Sequence, residues 1–524
     1  FSFFALYGIL AKAGVPSGTI HASVLTSEYK DPTLTRIPNT DFEPVSSTHD
    51  GNNVIANAFD GKDDTYWQGD SSISDTNKPY IEIIFNSTQN LESMLYYPYI
   101  TTTDGSKSYL GFPQKFNINA SVGNSTYQLK YEVSTSIPTE VSSQPILIQF
   151  PRTLWCDQLK LEFIEVNTGN PACQELSFFK VLNPSYTHLT IQKAAINTTE
   201  MEKYKIKFEE CHVDASGYHT SKDNHYGNNG HEDLFKLTIK THWACDKPNV
   251  ANYKNFVNYK FNSIECLDGI FFEGGYTTLP DYNHPENRTH FGFPYVMNIY
   301  IKDLMTKKTE LKFVHTGMPP MFVPLYDTNH IQFPKGLWTN ELKVEFEEVL
   351  YNRDFGLNDY TPEAKFMIVA RKTELSPRLE YQSEEAYEQK DLTISGTTFD
   401  GIKGAEFGGA VYLANCALEC SSTTFTNCDS TIAGGGIYLK ISKPDFTNNN
   451  PATFTGLTFT DCKSGYGGAI CVIAKREQYI TSIVGCTFNN NLAENQEHGG
   501  SALFLYTNKA KVQRCTFTGS SGRS

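Results

Sequence analysis

Along much of this chain apolar and polar positions alternate one by one. In "QLKLEFIEV" (158–166) Leu159, Leu161 and Phe163 fall on one face, and Lys160 and Glu162 on the other. A period of two with one solvated face predicts antiparallel strands, and the Gly, Pro, Asn and Asp clusters between such runs predict turns. The pattern also repeats. "IQFPRTLWCDQLKLEFIEV" (148–166) returns 183 residues later as "IQFPKGLWTNELKVEFEEV" (331–349), with 12 of 19 positions identical.

Working outward, "GFPQKFNI" (111–118) answers "GFPYVMNI" (292–299). At an offset of 176, "YIEIIFNSTQNLESMLYY" (80–97) answers "FVNYKFNSIECLDGIFF" (256–272), and "FDGKDDTYW" (59–67) answers "FKLTIKTHW" (235–243). The four tryptophans therefore form two pairs, Trp67 with Trp243 and Trp155 with Trp338, and are expected to anchor the cores of their own domains. Two tandem β-sandwiches follow, at 19–182 and 183–375.

After a charged linker at 376–391 the texture changes. Gly-Gly pairs at Gly408, Gly434, Gly467 and Gly499 follow Thr-Phe at Phe399, Phe425, Phe459 and Phe488, and Phe517 opens a fifth unit. Phe-to-Phe spacings of 26, 34, 29 and 29 predict a solenoid at 392–524, Phe stacked on Phe, with Gly-Gly at the corners. Cys428 and Cys462 are expected to stack inside it as buried thiols or as a bridge. The chain stops after a Thr-Phe, so more coils are expected to follow.

Two resemblances give these units names. "VIANAFDGKDDTYWQGD" (54–70), "YIEIIF", "GFPQKFNI" and "CQELSFFKV" (173–181) resemble the discoidin, or coagulation-factor C-type, domain. The resemblance implies a jelly-roll of the galactose-binding-like fold for the first repeat. The second repeat keeps the hydrophobic skeleton without the "DG…T" segment and is expected to be a divergent copy. The Gly-Gly and "FNNN" (488–491) motifs resemble the repeats of the polymorphic membrane protein family, which implies a right-handed parallel β-helix on a cell surface. "FTNC" and "FTDC" depart from that family's FxxN. The fold class expected is all-β: two tandem jelly-roll sandwiches followed by a truncated right-handed parallel β-helix.

The discoidin resemblance implies a structural calcium in the first repeat, held by Asp60, Asp63 and Thr65, with Asp64 alongside, and by Glu175 from the last strand; such hard oxygen donors suit Ca2+. An acidic turn capped by Asp60 is the plainer alternative. Lys236, Leu237, Thr238 and Ile239 replace the acids in the second copy, which is expected not to bind calcium there. Tyr97, Tyr99 and Tyr109 in "YYPYITTTDGSKSYLGFP" (96–113) are candidate stacking surfaces for a glycan, or ordinary packing residues. The histidines His212, His219, His225 and His231 have no metal-site spacing and read as a polar loop insertion.

A net charge of −14, with no basic block, argues against a nucleic-acid partner. "FSFFALYGILAKAG" (1–14) reads as the remnant of a secretory signal, ending by residue 13. No other apolar run nears the roughly 20 residues that span a bilayer, so any anchor is expected outside this fragment. Sequons at Asn86, Asn119, Asn124, Asn197 and Asn287 accord with secretion. Twelve cysteines lack zinc spacing; some are expected to pair, and Cys156 with Cys173 is a bridge the first repeat would accommodate.

These readings point to a secreted or cell-surface adhesin, not an enzyme, whose sandwich modules bind a glycan or another extracellular or host-surface ligand. The alternative is a polysaccharide lyase or glycosidase, hinted at only by Asp400, Asp461 and Lys463. Phospholipid binding fits the acidic balance poorly.

Overall fold

The computed structural model describes residues 18–520 except 71–72, 75–77, 122–126, 183, 191, 194–197, 217–233, 236–242, 245–252, 275, 279–287, 291–293, 317–328, 350–362, 373–376, 383–389, 443–448, 475 and 496–498. The fold is all-β, in three units, and one seven-residue helix, Thr198–Tyr204, is the only α-helix among the described residues. No helix there is long and apolar enough to cross a membrane.

In the first sandwich the strands run, in spatial order, Gly18–Val24, Gln128–Thr135, Pro113–Ser121, Ile146–Val166, Tyr80–Pro98, Ala172–Val181 and Leu34–Arg36. The second copies the first six positions with Thr187–Thr190, Thr309–Thr316, Pro294–Lys302, Asn329–Val349, Phe256–Gly274 and Glu363–Arg371, and ends on Trp243–Ala244, the counterpart of Trp67–Gln68, which pairs with Ala172–Val181 in the first. Even the odd features recur. The first strand of each copy pairs parallel with the third-from-last long strand, Gly18 against Tyr131 and Thr187 against Phe313. Phe42–Ser46 flanks Tyr80–Pro98 as Cys211–Ala215 flanks Phe256–Gly274.

The two longest strands of each copy, of 19 and 21 residues, cannot stay straight in so small a sandwich. Their pairing breaks register twice, between Gln149 and Leu154 and between Cys156 and Gln158, and again at the matching place in the second copy, Lys260 to Glu265 and Leu267 to Gly269. Such bulges bend and twist a strand. Inward alternation fills the first core with Ile81, Ile83, Leu159, Leu161, Phe163 and Trp67, all fully buried.

The third unit is a parallel β-solenoid of about four turns. Three five-stranded parallel sheets form its walls, led by Leu379–Gln382, Lys390–Ser395 and Thr398–Asp400. Leu379–Gln382 lies within the stretch expected as linker; it pairs with Val411–Ala414 and is the first rung of its sheet. The aromatic ladder is in register: Phe399, Phe425, Phe459, Phe488 and Phe517 stack at centroid spacings of 5.0, 4.5, 5.2 and 4.8 Å. At the corners Gly408 has φ +62, and a Cβ there would lie 2.2 Å from the Val411 carbonyl oxygen. Gly409 packs so close to the next coil that a Cβ would meet the Gly435 oxygen at 2.1 Å. The first glycine is required by the turn and the second by the stacking.

The units are docked end to end. Trp155 of the first sandwich stacks on His188 at 5.2 Å and meets Tyr186 at 6.0 Å, so it belongs to the second sandwich's apolar cluster. Its counterpart Trp338 packs on Phe399, the first rung of the solenoid, beside Ile264, Leu304 and Met305, which close the solenoid core. The expectation that both tryptophans anchor their own domains is thus corrected: each seats the unit that follows. The first junction also buries charge. Lys130, 5% exposed, donates to Glu348 and to the Tyr295 hydroxyl at 2.8 Å each, while Arg152 pairs with Glu347 at 2.6 Å. Burial alone would push the Glu348 carboxyl up, but Lys130, Lys254 and Arg152 hold it below its ordinary value.

The Cys156–Cys173 bridge is not made; both thiols are free and buried. Cys156 faces Gln89 and Cys173 faces Pro98 across the same strand. Nine residues of strand separate those partners by about 30 Å at ~3.3 Å per residue, far beyond disulfide reach.

Candidate functional site

The loops of the first sandwich that follow the short helical turn Ile55–Phe59 and the hairpin Ile100–Thr103/Ser106–Tyr109 gather the sequence-predicted site residues. Trp67 and Tyr96 are fully buried, while the adjacent Tyr66 and Tyr97 are half-buried. Tyr66 and Tyr99 stack with centroids 3.6 Å apart and planes 13° apart. Burial raises the Tyr99 hydroxyl pKa, and the nearby Tyr66 and Asp64 raise it further. Asp64 is exposed beside the pair.

Tyr97 stands opposite Glu175 in the sheet. Its pKa is raised by burial first and by the Glu175 charge second. Tyr109 is a correction. It is 5% exposed, packs on Phe112 at 4.9 Å, and exchanges hydrogen bonds with the Ser142 backbone, so it presents no face to a ligand. Tyr66 was missed, although it adjoins the buried Trp67.

The hairpin beyond Tyr99 turns at Asp104-Gly105, where φ is +51 and +77. Such a two-residue turn with both φ positive suits Asp-Gly. Residues 102–108 are all exposed and offer the Thr102, Thr103, Ser106 and Ser108 hydroxyls.

The expected calcium ligands are brought together in part. The Thr65 hydroxyl donates to both Asp60 carboxylate oxygens at 2.9 Å, and Asp60 accepts the Lys62 N–H at 3.0 Å. This is the capped acidic turn, and the same two oxygen donors suit a hard cation. The loop leans on the last strand through Gln174, which donates to Asp63 at 3.4 Å. Glu175 is engaged by Arg36 at 2.8 Å. Among the described residues no group of three or more His, Cys, Asp or Glu converges. Of the expected ligands only Asp60 and Thr65 meet, and Asp60 is already bonded by Thr65 and Lys62, as Asp63 and Glu175 are by Gln174 and Arg36.

The second copy's Lys236–Ile239 lie outside the described residues, as do His219, His225, His231 and the sequons at Asn124, Asn197 and Asn287. His212 is exposed on Cys211–Ala215. Asn86 is exposed and donates to the Thr40 carbonyl at 3.0 Å. Asn119 is half-buried within Pro113–Ser121, between two neighbouring strands.

On the solenoid, Asp461 has φ +55, as Asn427 and Asn490 have +50 and +51 at the equivalent turn of other coils. Asn and Asp tolerate that left-handed conformation, which gives Asp461 a turn role. Asp400 is exposed and stands in register with Thr426. Lys463 pairs with Glu494 at 2.6 Å.

No family model matches the sequence, and no curated protein matches it. Neither resemblance is therefore raised to membership. Among solved structures, the chain is similar to the CBM32-1, CBM32-2 and M60 catalytic domains of Clostridium perfringens ZmpB, at 14% identity and a TM-score of 0.28, covering 65% of this chain and 38% of that one. The family 32 CBM of C. perfringens NanJ in complex with galactose is 19% identical over 28% of this chain and 99% of that one, with a TM-score of 0.24. CBM32-3 from a C. perfringens family 31 glycoside hydrolase is 16% identical over 28% and 94%, also at 0.24. At those scores the functional reading rests on this chain's own residues.

Proposed function

We propose that the first sandwich binds a glycan at the Tyr66–Tyr99 stack, and that the chain is a non-catalytic secreted or cell-surface adhesin. The observation that carries this reading is a partly exposed aromatic pair 3.6 Å apart with a carboxylate, Asp64, beside it. A sugar offers just two surfaces, an apolar C–H face and a rim of hydroxyls. The tyrosine rings suit the first and Asp64, with the hairpin hydroxyls, suits the second.

Docking supports the adhesin reading. Trp155 and Trp338 join the three units into one body, so the solenoid serves as a stalk that fixes the direction in which the binding loops point. Calcium enters only as a fastener of the loop at 60–65. Asp60 and Thr65 would hold it, and the metal would supply charge neutralisation for the acidic turn.

The test is titration of the full chain with galactose- and N-acetylgalactosamine-terminated oligosaccharides, comparing wild type with Tyr99→Ala. Galactose and GalNAc are chosen because the solved CBM32 complexes contain them.

A further inference from the structure

Seven cysteines lie in the solenoid, and their register separates them into two kinds. Cys416, Cys420 and Cys471 stand opposite other residue types: Lys390, then Ile394 and Phe454, then Tyr438 and Phe504. Cys428 and Cys462 stand opposite each other. Thr426 pairs with Thr460 on one side of them and Asp429 bridges Lys463 on the other, so the two cysteines hold the same place in consecutive coils. Cys515 likewise stands over Cys486, each immediately before the paired Thr516 and Thr487.

We propose that Cys428 and Cys462 are joined by an inter-coil disulfide when the chain folds in an oxidising compartment. Neighbouring strands lie ~4.8 Å apart, inside the ~4.4–6.8 Å Cα separation a disulfide accepts. Both side chains point into the same core, where this structure holds them as fully buried free thiols. The neighbouring Cys428 is the largest influence on the Cys462 thiol, ahead of burial, and both push its pKa up.

The next coil shows what this position otherwise holds. Asn491 accepts the Cys462 N–H at 3.0 Å and donates to the Phe459 carbonyl at 3.2 Å. Cys462 reaches the equivalent Phe425 carbonyl only with a thiol, at 3.6 Å, and Cys428 reaches Phe399 the same way. A thiol is a weak donor and replaces the amide poorly. Two such replacements stacked directly on each other make chemical sense as a pair, because only the pair can form a covalent bond between coils.

In the reaction each thiol gives up its proton and the pair gives up two electrons to the disulfide of a thiol–disulfide oxidoreductase. That disulfide is reduced to its dithiol and takes up both protons. Buried thiols with raised pKa are poor nucleophiles, so the bond forms while the coils are assembling and not afterwards.

The experiment is peptide mass spectrometry of the full chain recovered from an oxidising expression compartment, alkylated in denaturant without reductant. The expected result is a Cys428–Cys462 linked peptide that reductant separates, together with a Tm that reductant lowers in wild type and lowers less in the Cys428→Ser/Cys462→Ser variant. Recovery of both cysteines as alkylated free thiols overturns the proposal. So does a linked peptide joining either one to another partner. The mass measurement is made on wild type, so poor folding of the variant leaves it decisive, and it is independent of glycan binding.

Discussion

The Trp338 indole lies 4.7 Å from the Phe399 ring, centroid to centroid, and its N–H donates to the Pro377 carbonyl at 2.7 Å. The second sandwich thereby closes the open end of the solenoid's aromatic ladder. A solenoid coil cannot bury its apolar face alone and needs a neighbour or a cap. Trp338→Ala is expected to cost about 3 kcal/mol, the low end for removing a large aromatic from a core. The loss should appear as earlier melting of the solenoid, followed by hydrogen exchange at residues 390–433. Unchanged protection there would mean that Trp338 is not the cap.

The buried charges at the first junction respond differently to single and paired replacement. Glu348→Gln leaves Lys130 buried beside a neutral partner and is expected to destabilise by about 3 kcal/mol. Replacing both, as Lys130→Met/Glu348→Leu, is expected to cost clearly less, since an apolar pair carries no desolvation penalty. Denaturant unfolding of the three proteins checks this. A double variant as unstable as the single one would show that shape, not charge, governs the junction.

Acid should loosen the second sandwich. His315, fully buried between Leu189 and Met297 on neighbouring strands, is pushed down to about 3 by burial first and by His188 second. Its folded value lies below the ordinary 6.5, so the unfolded chain takes the proton first. Its contribution to stability is full above pH 6.5 and is lost as pH falls towards 3. Unfolding free energy measured from pH 7 to 4 should decline, with a shallower decline in His315→Leu. Equal slopes in the two proteins would assign the acid sensitivity elsewhere.

Calcium is expected to raise the Tm of the full chain, and Asp60→Ala to abolish the rise. Differential scanning calorimetry with calcium and with chelator measures both. A rise that survives Asp60→Ala would place the metal at another site.

The skeleton was legible because alternation and repeat reflect local burial. Phe85 and Phe261, matched by offset alone, do hold equivalent pairing positions, opposite Phe42 and Cys211. The ladder from Phe399 to Phe517 was legible for the same reason. The junctions were less so, because a second covered face leaves only a faint trace in one sequence. Leu154, Trp155 and Cys156 are buried in succession, at 2, 6 and 0% exposure, which breaks the alternation where the next unit covers the strand. The ion cluster was hidden because its members come from both copies: Glu347, which grips Arg152 of the first, replaces Ile164 of that copy. At the site, Tyr99 was legible as loop aromatic, while Tyr109 was misread because folding turns that end of its hairpin inward.

The most direct measurement is calorimetric titration of the full chain, wild type against Tyr66→Ala/Tyr99→Ala, with galactose- and N-acetylgalactosamine-terminated oligosaccharides. The expected result is saturable binding by wild type and at least about a tenfold weaker affinity in the variant, equivalent to about 1.4 kcal/mol. Equal affinity in the two proteins, or no binding of either saccharide by wild type, would contradict the glycan reading of the Tyr66–Tyr99 stack.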